Sequence, residues 1–142
     1  MNQRIFVSFE SDFADDSVEG PTGNVVTPGG KSVMGCIADK LKERGVIVTS
    51  VHQHSFYGWA FTAEHQGVKF YCLVQHLRLW LLTVRPILSI GDRFLFRGRT
   101  AETHAFVDLA VKTLASDSHF MGIIKQSEKE FNATQRSRTA KS

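Results

Sequence analysis

Three histidines come nearest to a reaction centre by residue type and spacing. His52 and His54 are separated by a single residue, so both imidazoles fall on one side of a strand, and His76 comes near the end of a later strand. A metal ion needs three or four such ligands. Together with the N-terminal acidic residues, these histidines would suit a small metal-dependent hydrolase. This function requires that the two hairpin registers place His76 on the same face as His52 and His54, because a shift of one residue moves a side chain to the other face. Polar histidines at a sheet edge are the favoured interpretation.

A second segment mixes guanidinium groups with aromatic rings. Residues 93–99 run Arg93, Phe94, Leu95, Phe96, Arg97, Gly98 and Arg99. Such a mixture contacts phosphates and stacks on bases, so RNA or single-strand nucleic-acid binding through Arg93–Arg99 is one alternative function. An edge strand with arginines pointing outward explains the same residues without any ligand, and we regard nucleic acid as the less favoured partner.

The remaining motifs argue against an enzyme. Gly30, Lys31 and Ser32 are similar to the end of a phosphate-binding loop, but that motif needs a glycine where Val25 stands, so the glycines predict the start of a helix instead. A serine elbow, a paired-cysteine motif and a dinucleotide-binding glycine motif are all missing from the sequence. Cys36 lies within an amphipathic pattern that is typical of an inert core thiol. We therefore expect no catalytic residue and no cofactor.

Composition places the chain among single, packed domains. It has 142 residues, of which 42% are hydrophobic, and a formal net charge of +3. The excess charge lies in residues 132–142, which carry Arg136, Arg138 and Lys141 and no acidic residue, whereas residues 1–131 have equal numbers of basic and acidic residues. We predict one domain over 1–131 and a disordered basic tail over 132–142. With neither an apolar run long enough to span a bilayer nor a signal-peptide core, the expected location is cytoplasmic, with no membrane contact.

Hydrophobic periodicity predicts the elements that position these residues. Helical spacing begins near Pro28 and ends at Gly45, and it returns from about Thr100 to Ser116. Period-two segments separated by short turns predict strands at 3–9, 46–52, 57–64, 68–77 and 79–84. The fold class is α+β: a single domain with an antiparallel sheet of four to five strands and two main helices packed on one face.

Strands 68–77 and 79–84 are apolar on both faces, and helices on one side cannot cover the other. We therefore predict a non-enzymatic, cytoplasmic protein-binding module that pairs with a protein partner or with a second copy of itself. Aromatic side chains concentrate interface energy, and arginines suit the rim. The candidate contact residues are Tyr57, Trp59, Tyr71 and Trp80, with Arg78, Arg85 and Arg97 as rim charges.

Four segments carry a resemblance to known proteins: residues 44–46 (RGV), 57–61 (YGWAF), 67–70 (GVKF) and 80–86 (WLLTVRP). Their layout resembles that of small uncharacterised bacterial α+β proteins, some of which resemble toxin-immunity proteins. The resemblance covers roughly residues 30–115 and rests on hydrophobic and turn positions. It implies an α+β fold and a protein partner that the chain neutralises, and it supplies no catalytic residue.

Overall fold

The structure is a computed structural model that describes residues 4–23, 25–55 and 58–140. The helices are α1 (Lys31–Glu43), α2 (Ile90–Phe94), α3 (Thr100–Ala115) and α4 (Glu128–Ala140). The strands are β1 (Ile5–Ser11), β2 (Val18–Glu19), β3 (Val25–Thr27), β4 (Ile47–Val48), β5 (His52–His54), β6 (Gly58–His65), β7 (Val68–His76), β8 (Trp80–Ile87) and β9 (Phe120–Ser127).

Seven of the strands in the described residues form one antiparallel sheet, in the order β4, β6, β7, β8, β1, β9, with β5 also pairing with β6. The α+β class and the antiparallel sheet are confirmed, but the expected four to five strands were too few. The segment predicted as one strand over 46–52 is divided into the short β4 and β5. At the opposite edge, residues after Phe120, whose sequence favours neither strand nor helix clearly, pair as β9 with β1.

One face of the sheet carries the main core. Ile5, Val7 and Phe9 alternate along β1 with side chains of the other face, and the same alternation along β6, β7 and β8 places their most buried residues beside them. Helices α1 and α3 supply the facing layer, for example through Phe106, whose ring stacks on that of Phe70 with centroids 4.6 Å apart.

The second face is covered in part by α4. Phe6 lies on this face and is only 5% exposed, because the ring of Phe131 in α4 stacks on it with centroids 4.3 Å apart. Gln126 of β9 donates to the hydroxyl of Thr134 at 3.3 Å. Residues 132–140, where the composition predicts disorder, are therefore part of a helix that packs on β1 and β9. Phe6 is therefore shielded within the chain, whereas Ile124 of β9, on the same face, remains 53% exposed.

The expected edge strand at residues 93–97 is wrong. After β8 ends at Ile87, Ser89 starts α2: its hydroxyl accepts from the amide of Asp92 at 3.0 Å, and the Asp92 carboxylate accepts from the amide of Ser89 at 3.3 Å. This reciprocal cap fixes a helical turn. The weak alternation of Arg93 to Arg97 has no neighbouring strand to pair with, and local capping decides the conformation instead.

Candidate functional site

The three most exposed large apolar side chains of the described residues lie on α2 and the turn after it, together with a fourth, Leu95. Ile90 is 89% exposed, Phe94 79%, Phe96 78% and Leu95 58%. We call these four residues the apolar knob. By contrast, Phe9, Phe61 and Phe70 are at most 1% exposed. Phenylalanine is among the residue types most often buried, so a concentration of exposed rings is informative.

Asp92 fixes the knob to the rest of the fold. Its carboxylate is buried and accepts from Nε of Arg99 at 2.9 Å, and the same oxygen lies 3.3 Å from Nε of Arg97. Arg99 also reaches Glu102 of α3 at 3.3 Å. The hydrogen bond from Arg99 is the main reason that the pKa of Asp92 lies below its ordinary value. The ion pairs therefore join α2 to the start of α3.

Two residues of this segment adopt left-handed backbone conformations without being glycine. Phe96 has φ 55° and Arg99 has φ 57°. A bulky side chain rarely occupies this region, and such strain persists only where the surroundings impose it. Here Arg97 donates its amide to the carbonyl of Asp92 at 2.7 Å and closes the turn that carries Phe96. The backbone that carries the knob is therefore held in one conformation by its own hydrogen bonds.

The contact residues predicted from the sequence are not gathered in one place. Trp59 and Trp80 are 7% and 6% exposed and belong to the core, where the indole N–H of Trp59 donates to the carbonyl of Pro28 at 2.8 Å. Arg78 is exposed at the β7–β8 turn. Tyr57 lies outside the described residues. Only Arg97 borders the knob. Ile90 was not a candidate, and Phe94, Leu95 and Phe96 were candidates only within the nucleic-acid segment Arg93–Arg99.

Tyr71 and Arg85 share the second face of the sheet, away from α1 and α3. The guanidinium of Arg85 lies over the ring of Tyr71, 4.9 Å from its centroid, and the two residues are cross-strand partners. The Tyr71 hydroxyl lies 2.6 Å from Nδ1 of His54. The structure therefore joins two predicted contact residues to one of the histidines, a grouping that depends on strand registers and that spacing alone did not reveal.

The three histidines are divided between the two faces. Registers place His52 and His54 opposite Ala60 and Gly58, on the second face, whereas His76 pairs with Trp80 of the core face and stacks on its ring at 4.2 Å. Across the ranges that the structure describes, no three His, Cys, Asp or Glu side chains are grouped as a metal site. The hairpin registers, which the sequence left open, therefore place His76 on the face opposite to that of His52 and His54.

The glycine-rich start of α1 already holds a carboxylate of the chain itself. Asp16 accepts from the amides of Gly30 and Ser32, both at 2.8 Å, and from the hydroxyl of Ser32 at 2.9 Å. Burial raises the pKa of Asp16, but these hydrogen bonds outweigh it, so its pKa lies below the ordinary value. Asp16 thus occupies the position where a phosphate would meet the helix N-terminus.

No family model, curated protein or solved structure matches this chain at a significant level. Within the described residues, no helix is both long and apolar enough to cross a membrane.

Proposed function

We propose that this chain is a non-enzymatic protein-binding module that contacts its partner through the apolar knob. The observation that carries the proposal is the near-complete exposure of Ile90, Phe94 and Phe96 on a segment that Asp92 holds in place. These side chains add little hydrophobic stabilisation to the fold, because they remain in water. A partner that buries one of them gains about 2 kcal/mol from the hydrophobic effect.

The composition of the knob suits an interface. Aromatic residues and arginine are the types that dominate binding energy at protein contacts, and Arg93 and Arg97 are exposed beside the rings. The cap of Ser89 and the ion pairs of Asp92 hold the segment before any partner arrives, which lowers the entropy lost on binding. The chemistry of the partner follows: an apolar pocket with carboxylates on its rim.

Two forms of this function are compatible with the knob. In one, the partner is a toxin that the chain neutralises, as the resemblance to immunity proteins implies. In the other, the partner is a second copy of the chain. Both forms belong to the proposal that the protein acts in the cytoplasm, and a single experiment separates them.

Site-specific photo-crosslinking in the producing cells tests the proposal. A photoreactive amino acid at position 94 should give a discrete crosslinked product, whose mass identifies either a second copy or a different protein. The same amino acid at position 47 is the control, because Ile47 is 66% exposed but lies on β4, outside the knob. No product from position 94, or the same products from both positions, would contradict the proposal.

Once the partner is known, substitution measures the contribution of the knob. We expect the double change Phe94→Ser and Phe96→Ser to weaken association by roughly a hundredfold or more, as expected for two hot-spot residues. Ile47→Ser should leave the affinity unchanged. Sedimentation at micromolar concentration reports the self-associating form, and calorimetric titration reports the form with a different protein.

Nucleic-acid binding through Arg93–Arg99 is a second candidate, supported by the exposed rings of Phe94 and Phe96. The ion pairs of Arg97 and Arg99 with Asp92 oppose it, because they engage two of the three guanidinium groups. Fluorescence anisotropy with a single-stranded oligonucleotide distinguishes the two. Affinity that falls steeply with salt and is lost in Arg93→Gln would favour nucleic acid.

A further inference from the structure

We infer that the uncovered half of the second sheet face holds an oxyanion site for a phosphate monoester, built on Arg85 and Tyr71. This site is separate from the apolar knob and does not rest on the proposed protein partner.

The central group is the guanidinium of Arg85. It lies over the Tyr71 ring, 4.9 Å from the ring centroid, and across the described part of the chain no carboxylate lies within ion-pair distance of it. Arg97 and Arg99, by comparison, are paired with Asp92. A guanidinium that contacts a ring and has no carboxylate partner keeps its planar set of N–H donors for a ligand, and this fork matches two oxygens of a phosphoryl group.

Tyr71 is itself held in place. Its hydroxyl bonds to Nδ1 of His54 at 2.6 Å, and the His52 ring lies 6.5 Å from the Tyr71 ring, centroid to centroid. Arg85 comes from β8 and the histidines come from β5, so the cluster spans four neighbouring strands of a rigid sheet. Side chains placed on strands keep their separation, which is what a preformed site needs.

The surroundings are rich in donors and open to solvent. Thr62 is the cross-strand partner of Tyr71, and Thr83 precedes Arg85 by two residues on the same face, so two hydroxyls border the cluster. Lys69 lies on the same face and faces the carboxylate of Glu64 across the strands. Helix α4 packs on β1 and β9, toward the opposite edge of the same face, and leaves Tyr71 and Arg85 half-buried.

The ligand class follows from the donors. A doubly charged phosphoryl group can use the guanidinium fork together with hydroxyl and imidazole donors, whereas a carboxylate is satisfied by the fork alone. Phenyl phosphate is a suitable probe because its ring also has the Tyr71 and Leu73 side chains beside it. Benzoate has the same ring with a single charge and is the matched comparison.

Titration of the intact protein, followed by NMR signals of the Arg85 Nε–H and the Tyr71 ring, tests the site. We expect saturable binding of phenyl phosphate, and Arg85→Gln should weaken it roughly tenfold or more, as the loss of charge-assisted hydrogen bonds predicts. Arg85→Lys keeps the charge but loses the fork and the stack, so it should also weaken binding. Arg78→Gln removes an exposed arginine at the β7–β8 turn and should have no effect.

Several results would overturn the inference: no saturation, unchanged affinity in both Arg85 variants, equal loss in Arg78→Gln, or benzoate binding as tightly as phenyl phosphate. Binding of a single-stranded oligonucleotide that is tighter than that of phenyl phosphate and is lost in Arg85→Gln would show a phosphodiester surface at Arg85 and would overturn it as well. Loss of the phosphate site leaves the crosslinking result at position 94 unaffected, so the two proposals fail separately.

Discussion

At the scale of single residues, the acidic side chains of the N-terminal third have individual structural tasks. Asp16 closes the N-terminus of α1, and Asp12 bonds the imidazole of His119 at 2.7 Å, which raises the pKa of His119. From the sequence, this acidic segment was considered only as a possible source of ligands beside the three histidines. It is in part a set of specific hydrogen bonds to distant elements, and spacing along the chain gives no sign of their partners.

Asp16→Ala should lower the free energy of unfolding by about 1 kcal/mol, because it removes the cap of α1. The pKa of Asp16 lies below its ordinary value in the folded state, so its contribution is complete above that ordinary value and is lost as the pH falls through the lowered pKa. Urea denaturation near neutral pH and in acid should show the difference between wild type and variant shrinking in acid. Asp39→Ala, an exposed position of the same helix, is the control, and an equal loss there would contradict the assignment.

At the scale of elements, α2 illustrates how a short-range signal can be overlooked. Ser89 and Asp92 have the spacing of a capping box, which predicts a helix start, yet the neighbouring Arg–Phe alternation favoured a strand. The structure decides for the helix because the strand would have had no pairing partner at this point of the sheet. The same cap presents the knob, so local capping and the proposed function are linked.

Ser89→Ala should lower the free energy of opening the first turn of α2 by about 1 kcal/mol, since the amide of Asp92 loses its acceptor. Amide hydrogen exchange of Asp92 and Arg93 measures the effect directly. Partner binding through the knob should weaken with it, because preorganisation is lost. Ser50→Ala, in an exposed loop, is the matched control; unchanged protection of the two amides would show that the cap is not what holds α2.

At the scale of the whole molecule, α4 answers part of the question of what covers the second face. The sequence indicated more apolar strand positions than two helices could shield, and Phe131 of a further helix shields Phe6. The knob carries four exposed apolar side chains off the sheet, at 58% to 89% exposure, whereas Ile47, Ile87, Met121 and Ile124 are exposed on strands of the sheet. The surface that we propose for a partner therefore lies in a different place from the contact residues predicted from the sequence, which stay a prediction.

Phe131→Ala should lower the free energy of unfolding by about 2 kcal/mol, because it exposes Phe6 and removes a half-buried ring. Chemical denaturation followed by circular dichroism measures it. Asn132→Ala, exposed on the same helix, should change stability by a few tenths of a kcal/mol at most. Equal stability of Phe131→Ala and wild type would mean that α4 does not pack on the sheet in solution.

The sequence by itself determined α1, α3 and the antiparallel pairing of β6, β7 and β8, because helical periodicity and hairpin turns are signals between near neighbours along the chain. Only the tertiary structure decided that β1 lies between β8 and β9, that His76 faces away from His52 and His54, and that α4 covers Phe6. These outcomes depend on contacts between residues far apart in the chain, and on registers in which a shift of one residue exchanges the two faces. The knob depends on both the local sequence and the tertiary structure: the cap of α2 is formed by residues close together in the sequence, but the exposure of the knob is a property of the complete fold.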